Sequence, residues 1–175
     1  DGLVQGLLEM AELPYCGCDV MSSALSMDKE KTKQIWENAG LPVVPYITIR
    51  KTDRENQATF EAIIKKSERD FEWPVFIKPC KAGSSVGANK ASNKEEFVKA
   101  VDDALLWDDK ILVEAFINAR EIECSVTGFR EIAAYTPGEI VPSHEFYDYE
   151  AKYLDPEGAA LKIPADLDEE KIREV

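Results

Sequence analysis

Residues 76–87, FIKPCKAGSSVG, put a lysine at the end of an apolar run and follow it with a loop of small residues. Glycine tolerates unusual dihedrals and close approach, so such a loop can turn several backbone N–H groups toward one point. A lysine at the strand end adds positive charge there, and the combination suits a phosphate. Lys78, Gly83, Ser84, Ser85, Val86 and Gly87 form this candidate set. Two familiar phosphate patterns are absent. A Walker loop places its lysine after the glycines, whereas Lys78 precedes them, and G-x-G-x-x-G does not occur. On composition alone, a surface hairpin loop with a solvated lysine is the competing reading.

Context extends the phosphate reading. Lys29 heads a helical pattern after Met27-Asp28, and a second cation helps to hold a triphosphate. In ILVEAF (111–116), the backbone past Glu114 can pair with a purine edge while Glu114 accepts from an exocyclic amine. Glu121, seven residues on, can take ribose hydroxyls. Each of these residues taken singly also reads as a solvated surface charge. Lys29, Lys78, Lys81 and Lys90 are expected to form one basic neighbourhood in an otherwise negative surface.

The elements that must position them follow from periodicity. Leu3, Leu7, Leu8 and Ala11 share one helical face, ended by Leu13-Pro14, and residues 15–20 read as a short strand. Asp28 suits an N-cap and Gly40 the C′ position of the next helix, with Ile35, Trp36 and Ala39 as its apolar stripe. VVPYITIR (43–50) reads as a strand with an edge or bulge at Pro45. A helix over 55–69, a strand at 74–77 and a loop over 80–87 come next. Ser92-Asn93-Lys94-Glu95 has capping-box spacing for a helix through Phe97, Val101, Ala104 and Leu105. Strands follow at 110–116, 121–128, IAAY and 161–163, around an aperiodic aromatic segment at 144–160, before a last helix. The class is mixed α/β, or α+β.

Composition narrows the partners. The 175 residues carry 21 Lys and Arg against 34 Asp and Glu, a net charge of −13. Such a surface repels nucleic acid and anionic membranes, so neither is an expected partner. No apolar run is long enough to span a bilayer and no signal peptide opens the chain. Cys16, Cys18, Cys80 and Cys124 are expected as free thiols, since the one histidine, His144, completes no metal cluster with them; that favours a reducing cytoplasm. A start at Asp1-Gly2 and a finish inside a helical pattern suggest part of a longer protein.

The order MDK, FIKPxxxGSSVG, ILVE with a further glutamate, then FYDYEAKY resembles the D-alanine–D-alanine ligases of the ATP-grasp superfamily. The resemblance implies a partial ATP-grasp fold. Residues 1–27 would end a preceding pre-ATP-grasp domain, 28–117 form the central subdomain, and 118–175 begin the C-terminal one. It implies ATP-dependent joining of two D-alanines through an acyl phosphate, for peptidoglycan precursors in the cytoplasm. Lys29 and Lys78 would bind ATP phosphates, and Glu114, Ala115, Phe116 and Ile117 the adenine, with Phe116 walling the pocket and Glu121 on the ribose. Ser84 would orient the second D-alanine, Lys152 approach the γ-phosphate, and Tyr153 meet Ser84 through a hydrogen-bonded link between two closing loops. Tyr147, Tyr149 and Tyr153 would help to cover the site.

Such an intermediate hydrolyses when water enters, which is why closing loops belong to the chemistry. The family's Mg2+ ligands would lie beyond Val175, so no metal residue is assigned and these residues alone are expected to be inactive. A homodimer is implied by the resemblance only. The alternatives are ligases that join D-alanine to D-serine or D-lactate, and a non-catalytic ATP-binding module. FYDYEAKY favours alanine over lactate, because depsipeptide-forming members replace it.

Overall fold

Val75, Ile77 and Pro79 are buried and alternate with half-buried Phe76 and Lys78, so β2 (Val75–Pro79) presents one apolar and one mixed face. The structure is a computed structural model that describes residues 1–143, 152–155 and 157–175. It divides into two units, Asp1–Phe116 and Ile117–Val175.

The first unit contains α1 (Leu3–Met10), α2 (Val20–Met27), α3 (Lys29–Asn38), β1 (Tyr46–Arg50), α4 (Lys51–Glu55) and α5 (Gln57–Phe71). After β2 come β3 (Asn89–Ala91), α6 (Lys94–Ala104) and β4 (Lys110–Ala115). Its four-stranded sheet has the order β1-β4-β2-β3, every neighbouring pair antiparallel. Ile47, Ile49, Val75, Ile77, Ile111 and Val113 line one face and pack on Phe60 and Ile64 of α5 and on Phe97, Ala100, Val101 and Ala104 of α6. Phe97 is fully buried, 6.2 Å from Phe60 and 5.9 Å from Trp73 between ring centroids. Burying such a ring contributes roughly 2–3 kcal/mol.

The other face is polar. Register sets Tyr46, Glu114, Phe76 and Lys90 in one row across the strands, with Thr48, Leu112 and Lys78 in the next. Helix α3 lies over this face through Glu30, Lys33 and its cap Asp28, whose side chain accepts from the Lys31 amide.

In the second unit, β5 (Glu121–Glu123), β8 (Gly138–Pro142) and β9 (Ala159–Lys162) form a three-stranded antiparallel sheet. β6 (Val126–Gly128) and β7 (Ile132–Ala134) pair as a hairpin, and α7 (Glu169–Glu174) comes last. Arg120 forks onto Glu139 at 2.7 and 2.8 Å and also donates to the Asp166 carbonyl.

All the sheets among the described residues are antiparallel, which puts the chain on the α+β side of the expected class. The strand expected at 15–20 does not form. Gly17 has a φ of 131° that breaks an extended run, and Asp19 caps α2 by accepting from the Ser22 amide. The strand expected over 121–128 is broken at Cys124-Ser125 into β5 and β6. β1 begins at Tyr46, just past Pro45, whose carbonyl accepts from Ala115 N. The cap of α6 sits one residue later than expected: Asn93 accepts from Glu96 N, and Glu96 reaches back to Ser92 N. Strands β3 and β8 were not anticipated; one is three residues long and the other is bounded by Gly138 and Pro142. All four cysteines are free thiols, and Cys80 is buried.

Candidate nucleotide site

Lys78 lies on the polar face because it is one residue out of phase with core-facing Ile77 and Pro79. Across the sheet, Glu114 shares that face, since Phe76 pairs with Glu114 and Lys78 with Leu112. Lys78 Nζ is 2.6 Å from Glu114 Oε2, and Lys33 Nζ of α3 is 2.9 Å from Glu114 Oε1. Glu114 Oε1 is fully buried and receives no directed hydrogen bond among the described residues; its Lys33 contact is one of charge. One buried carboxylate is thus flanked by two cations.

Lys29 fixes the start of the loop. Its amide donates to Cys80 O at 3.1 Å, and its Nζ donates to Pro79 O at 2.9 Å, Ala82 O at 2.6 Å and Cys80 O at 3.4 Å. Desolvation, then the charge of nearby Lys78, pulls the Lys29 ammonium below its ordinary pKa. Lys78 is held by Glu114 and Lys29 by three carbonyls, so both positive charges are fixed at the mouth of one loop.

The loop itself is tightly curled. Val86 N donates to Gly83 O and Ala88 N to Ser85 O, both at 3.1 Å. Ser84, Ser85 and Gly87 have φ values of 53°, 58° and 67°. For a serine this conformation costs on the order of 1–2 kcal/mol, and such strain clusters in ligand clamps. Successive residues of this kind make neighbouring N–H groups converge. At Gly87 an added Cβ would lie 2.5 Å from Trp107 Cδ1, so only glycine fits.

The four lysines expected as one neighbourhood have different partners. Lys90 stands over the Phe116 ring, 4.5 Å from its centroid, in the row that holds Glu114. Lys81 follows Cys80 in the same loop; its amide donates to Asp108, and its charge acts on Asp28, beside Lys29. Ala115 ends β4, Phe116 closes the first unit, and half-exposed Ile117 opens the second. Glu121 begins β5, whereas Lys152 and Tyr153 lie in helical backbone of the second unit. Tyr147, Tyr149 and the rest of FYDYEAKY before Lys152 are outside the described residues.

Lys33 and Lys110 were not among the sequence-derived candidates. A signal existed for each. Lys33 is one helical turn from Lys29, and Lys110 shares the even parity of Glu114 on β4. Lys29 and Lys78 meet at a curled loop, with a buried carboxylate behind them. Among the described residues no group of three His, Cys, Asp or Glu is placed to hold a metal ion.

Residues 35–175 match the family model described as "D-ala D-ala ligase C-terminus". A D-alanine--D-alanine ligase of Treponema denticola is 60% identical over 169 residues, 97% of this chain and 46% of that protein. One from Acetivibrio thermocellus is 47% identical over 175 residues, with 46% of its length covered. The solved VanG D-Ala:D-Ser ligase of Enterococcus faecalis superposes with a TM-score of 0.84 at 36% identity, over 99% of this chain and 49% of that one. The D-alanine-D-alanine ligase of Coxiella burnetii gives 0.79 at 34% identity, over 99% and 44%. The chain therefore spans about half the length of the relatives it matches.

Proposed function

Because this chain belongs to the D-ala D-ala ligase C-terminus family, whose solved relatives carry the ATP-grasp fold, we propose that it serves the ATP-dependent joining of two D-alanines. The observation that carries the reading is the Lys78–Glu114 pair at the strand end, with Lys29 bonded into the loop that follows. Lys29 and Lys78 hold the phosphates, aided by the loop from Gly83 through Ser84, Ser85 and Val86 to Gly87. Glu114 and the backbone through Ala115, Phe116 and Ile117 hold the base, and Glu121 the ribose.

ATP supplies the phosphoryl group that turns one D-alanine carboxylate into an acyl phosphate. The second amine attacks that carbonyl, the C–N bond forms, and phosphate leaves as the amine loses a proton. Cations and amides fixed beforehand stabilise charge spread over the transferred group. Ser84, with Lys152 and Tyr153, orients the second substrate and excludes water while the acyl phosphate exists. The product belongs to peptidoglycan precursor synthesis, Mg2+ accompanies ATP, and the working assembly is a homodimer.

A second reading, D-alanine to D-serine, draws on the superposition with the VanG ligase. The 60% and 47% identities to D-alanine--D-alanine ligases favour alanine. The natural gene product, given Mg-ATP with equal D-alanine, D-serine and D-lactate, is expected to release ADP and make chiefly D-alanyl-D-alanine. Mostly D-alanyl-D-serine would establish the second reading. ATP binding without amino-acid-dependent ADP release would overturn both.

A further inference from the structure

Lys33 lies four residues after Lys29 on α3, on the same helical face. Its side chain is only 10% exposed, which is rare for lysine and requires a partner. Three groups enclose it. Nζ is 2.9 Å from Glu114 Oε1, donates to Val44 O at 3.0 Å, and stands 5.2 Å from the Tyr46 ring centroid.

The second cation on the same carboxylate is placed differently. Lys78 takes Glu114 Oε2 at 2.6 Å and is 25% exposed at the head of the phosphate loop. Helix, strand and ring confine Lys33, so Lys78 is the one free to swing to a ligand. A buried carboxylate that loses its only cation is strongly disfavoured. With Lys78 alone, binding of phosphate would have to break that pair outright.

We infer that Lys33 is a positioning residue: it holds and neutralises Glu114 while the nucleotide's phosphates draw Lys78 away. Glu114 then keeps its orientation through Oε1, and Oε2 is released for an exocyclic amine. This rests on Lys78 being a phosphate ligand, as proposed above. It explains why a second lysine occupies the buried side of the carboxylate, where no phosphate need ever reach it.

The test is the affinity of a non-hydrolysable ATP analogue, by calorimetry on the natural gene product, for wild type, Lys33→Met, Glu114→Gln, the double variant and Lys78→Met. Lys33→Met is expected to bind about tenfold more weakly, as for removal of one partner of a desolvated pair. In the Glu114→Gln background the same change is expected to alter affinity less than about twofold, because a neutral amide needs no counter-charge. A purely structural role would cost the same in both backgrounds and would overturn the inference, as would a Lys33→Met affinity equal to wild type. If wild type fails to bind, or Lys78→Met binds as well as wild type, the phosphate reading itself falls. A crystal structure of the unaltered protein with the analogue tests the idea without any variant. Lys33 within about 3 Å of Glu114 and Lys78 on the phosphates would support it. Lys33 parted from Glu114 would overturn it.

Discussion

At the residue scale, buried charge decides what each lysine can do. Lys110 Nζ touches Asp28 Oδ2 and Glu30 Oε2, both at 2.7 Å. Burial pushes the Asp28 carboxyl up, but the Lys110 hydrogen bond, the Lys31 amide and the Lys110 charge outweigh it and hold it below 3.8. For Glu30 burial is likewise outweighed, by Lys110 and Thr48, and the carboxyl is held below 4.5. Burial would lower Lys110, yet its hydrogen bonds to both carboxylates raise it above 10.5. The depressed carboxyl values mean stability that is present above the ordinary carboxylate range and lost as pH falls through the folded-state values. The raised Lys110 value means stability present below 10.5 and lost only as pH rises through its higher folded-state value. Lys110→Met is therefore expected to lower unfolding free energy by about 3 kcal/mol at pH 7, since it removes the nearest cation from two buried carboxylates. In urea melts that deficit should shrink below about pH 4, where the carboxylates protonate in the variant. A deficit independent of pH would mean that the pairing contributes nothing.

At the element scale, the loop after β2 contains two glycines with different duties. Gly87 needs its φ of 67° and sits against Trp107, whereas a Cβ at Gly83 meets nothing within 4 Å. Gly87→Ala is expected to cost roughly 2 kcal/mol by combined strain and overlap. Gly83→Ala should stay within about 0.5 kcal/mol of wild type. Thermal unfolding separates them, and equal melting temperatures would show that Trp107 does not buttress the loop. On the opposite face, Phe97→Ala removes the ring shared by α5, α6 and Trp73. That is expected to lower stability by about 3–5 kcal/mol in chemical denaturation.

At the scale of the whole molecule, a net charge of −13 must coexist with the proposed site for a polyanion. Local fields allow this, because Lys29 and Lys78 would act on a phosphate within a few ångströms while distant carboxylates are screened. Labelled duplex DNA is therefore expected to show no polarisation change with the protein at about 0.15 M salt, while an ATP analogue binds. DNA binding that competes with the analogue would contradict a site selective for nucleotide. No helix among the described residues is long and apolar enough to cross a membrane.

Much of this was legible residue by residue. The apolar run ending in Lys78, the glycine-serine loop, the Asp28 cap and the Phe97 helix are patterns of contiguous residues, readable without knowing what they pack against. The short pairings β3 and β8 were not legible, because a three-residue run, or five residues that begin with Gly and end with Pro, become strands only when a neighbour offers its edge. Nor was the partnership of Glu114 legible as more than a strand carboxylate. The sequence by itself determined which residues are chemically equipped and which elements carry them. Only the tertiary structure decided that Lys33, 81 positions before Glu114 in the chain, would share that carboxylate with Lys78, because α3 covers the polar face of an antiparallel sheet. Contacts so remote in sequence arise from packing, and no local preference encodes them.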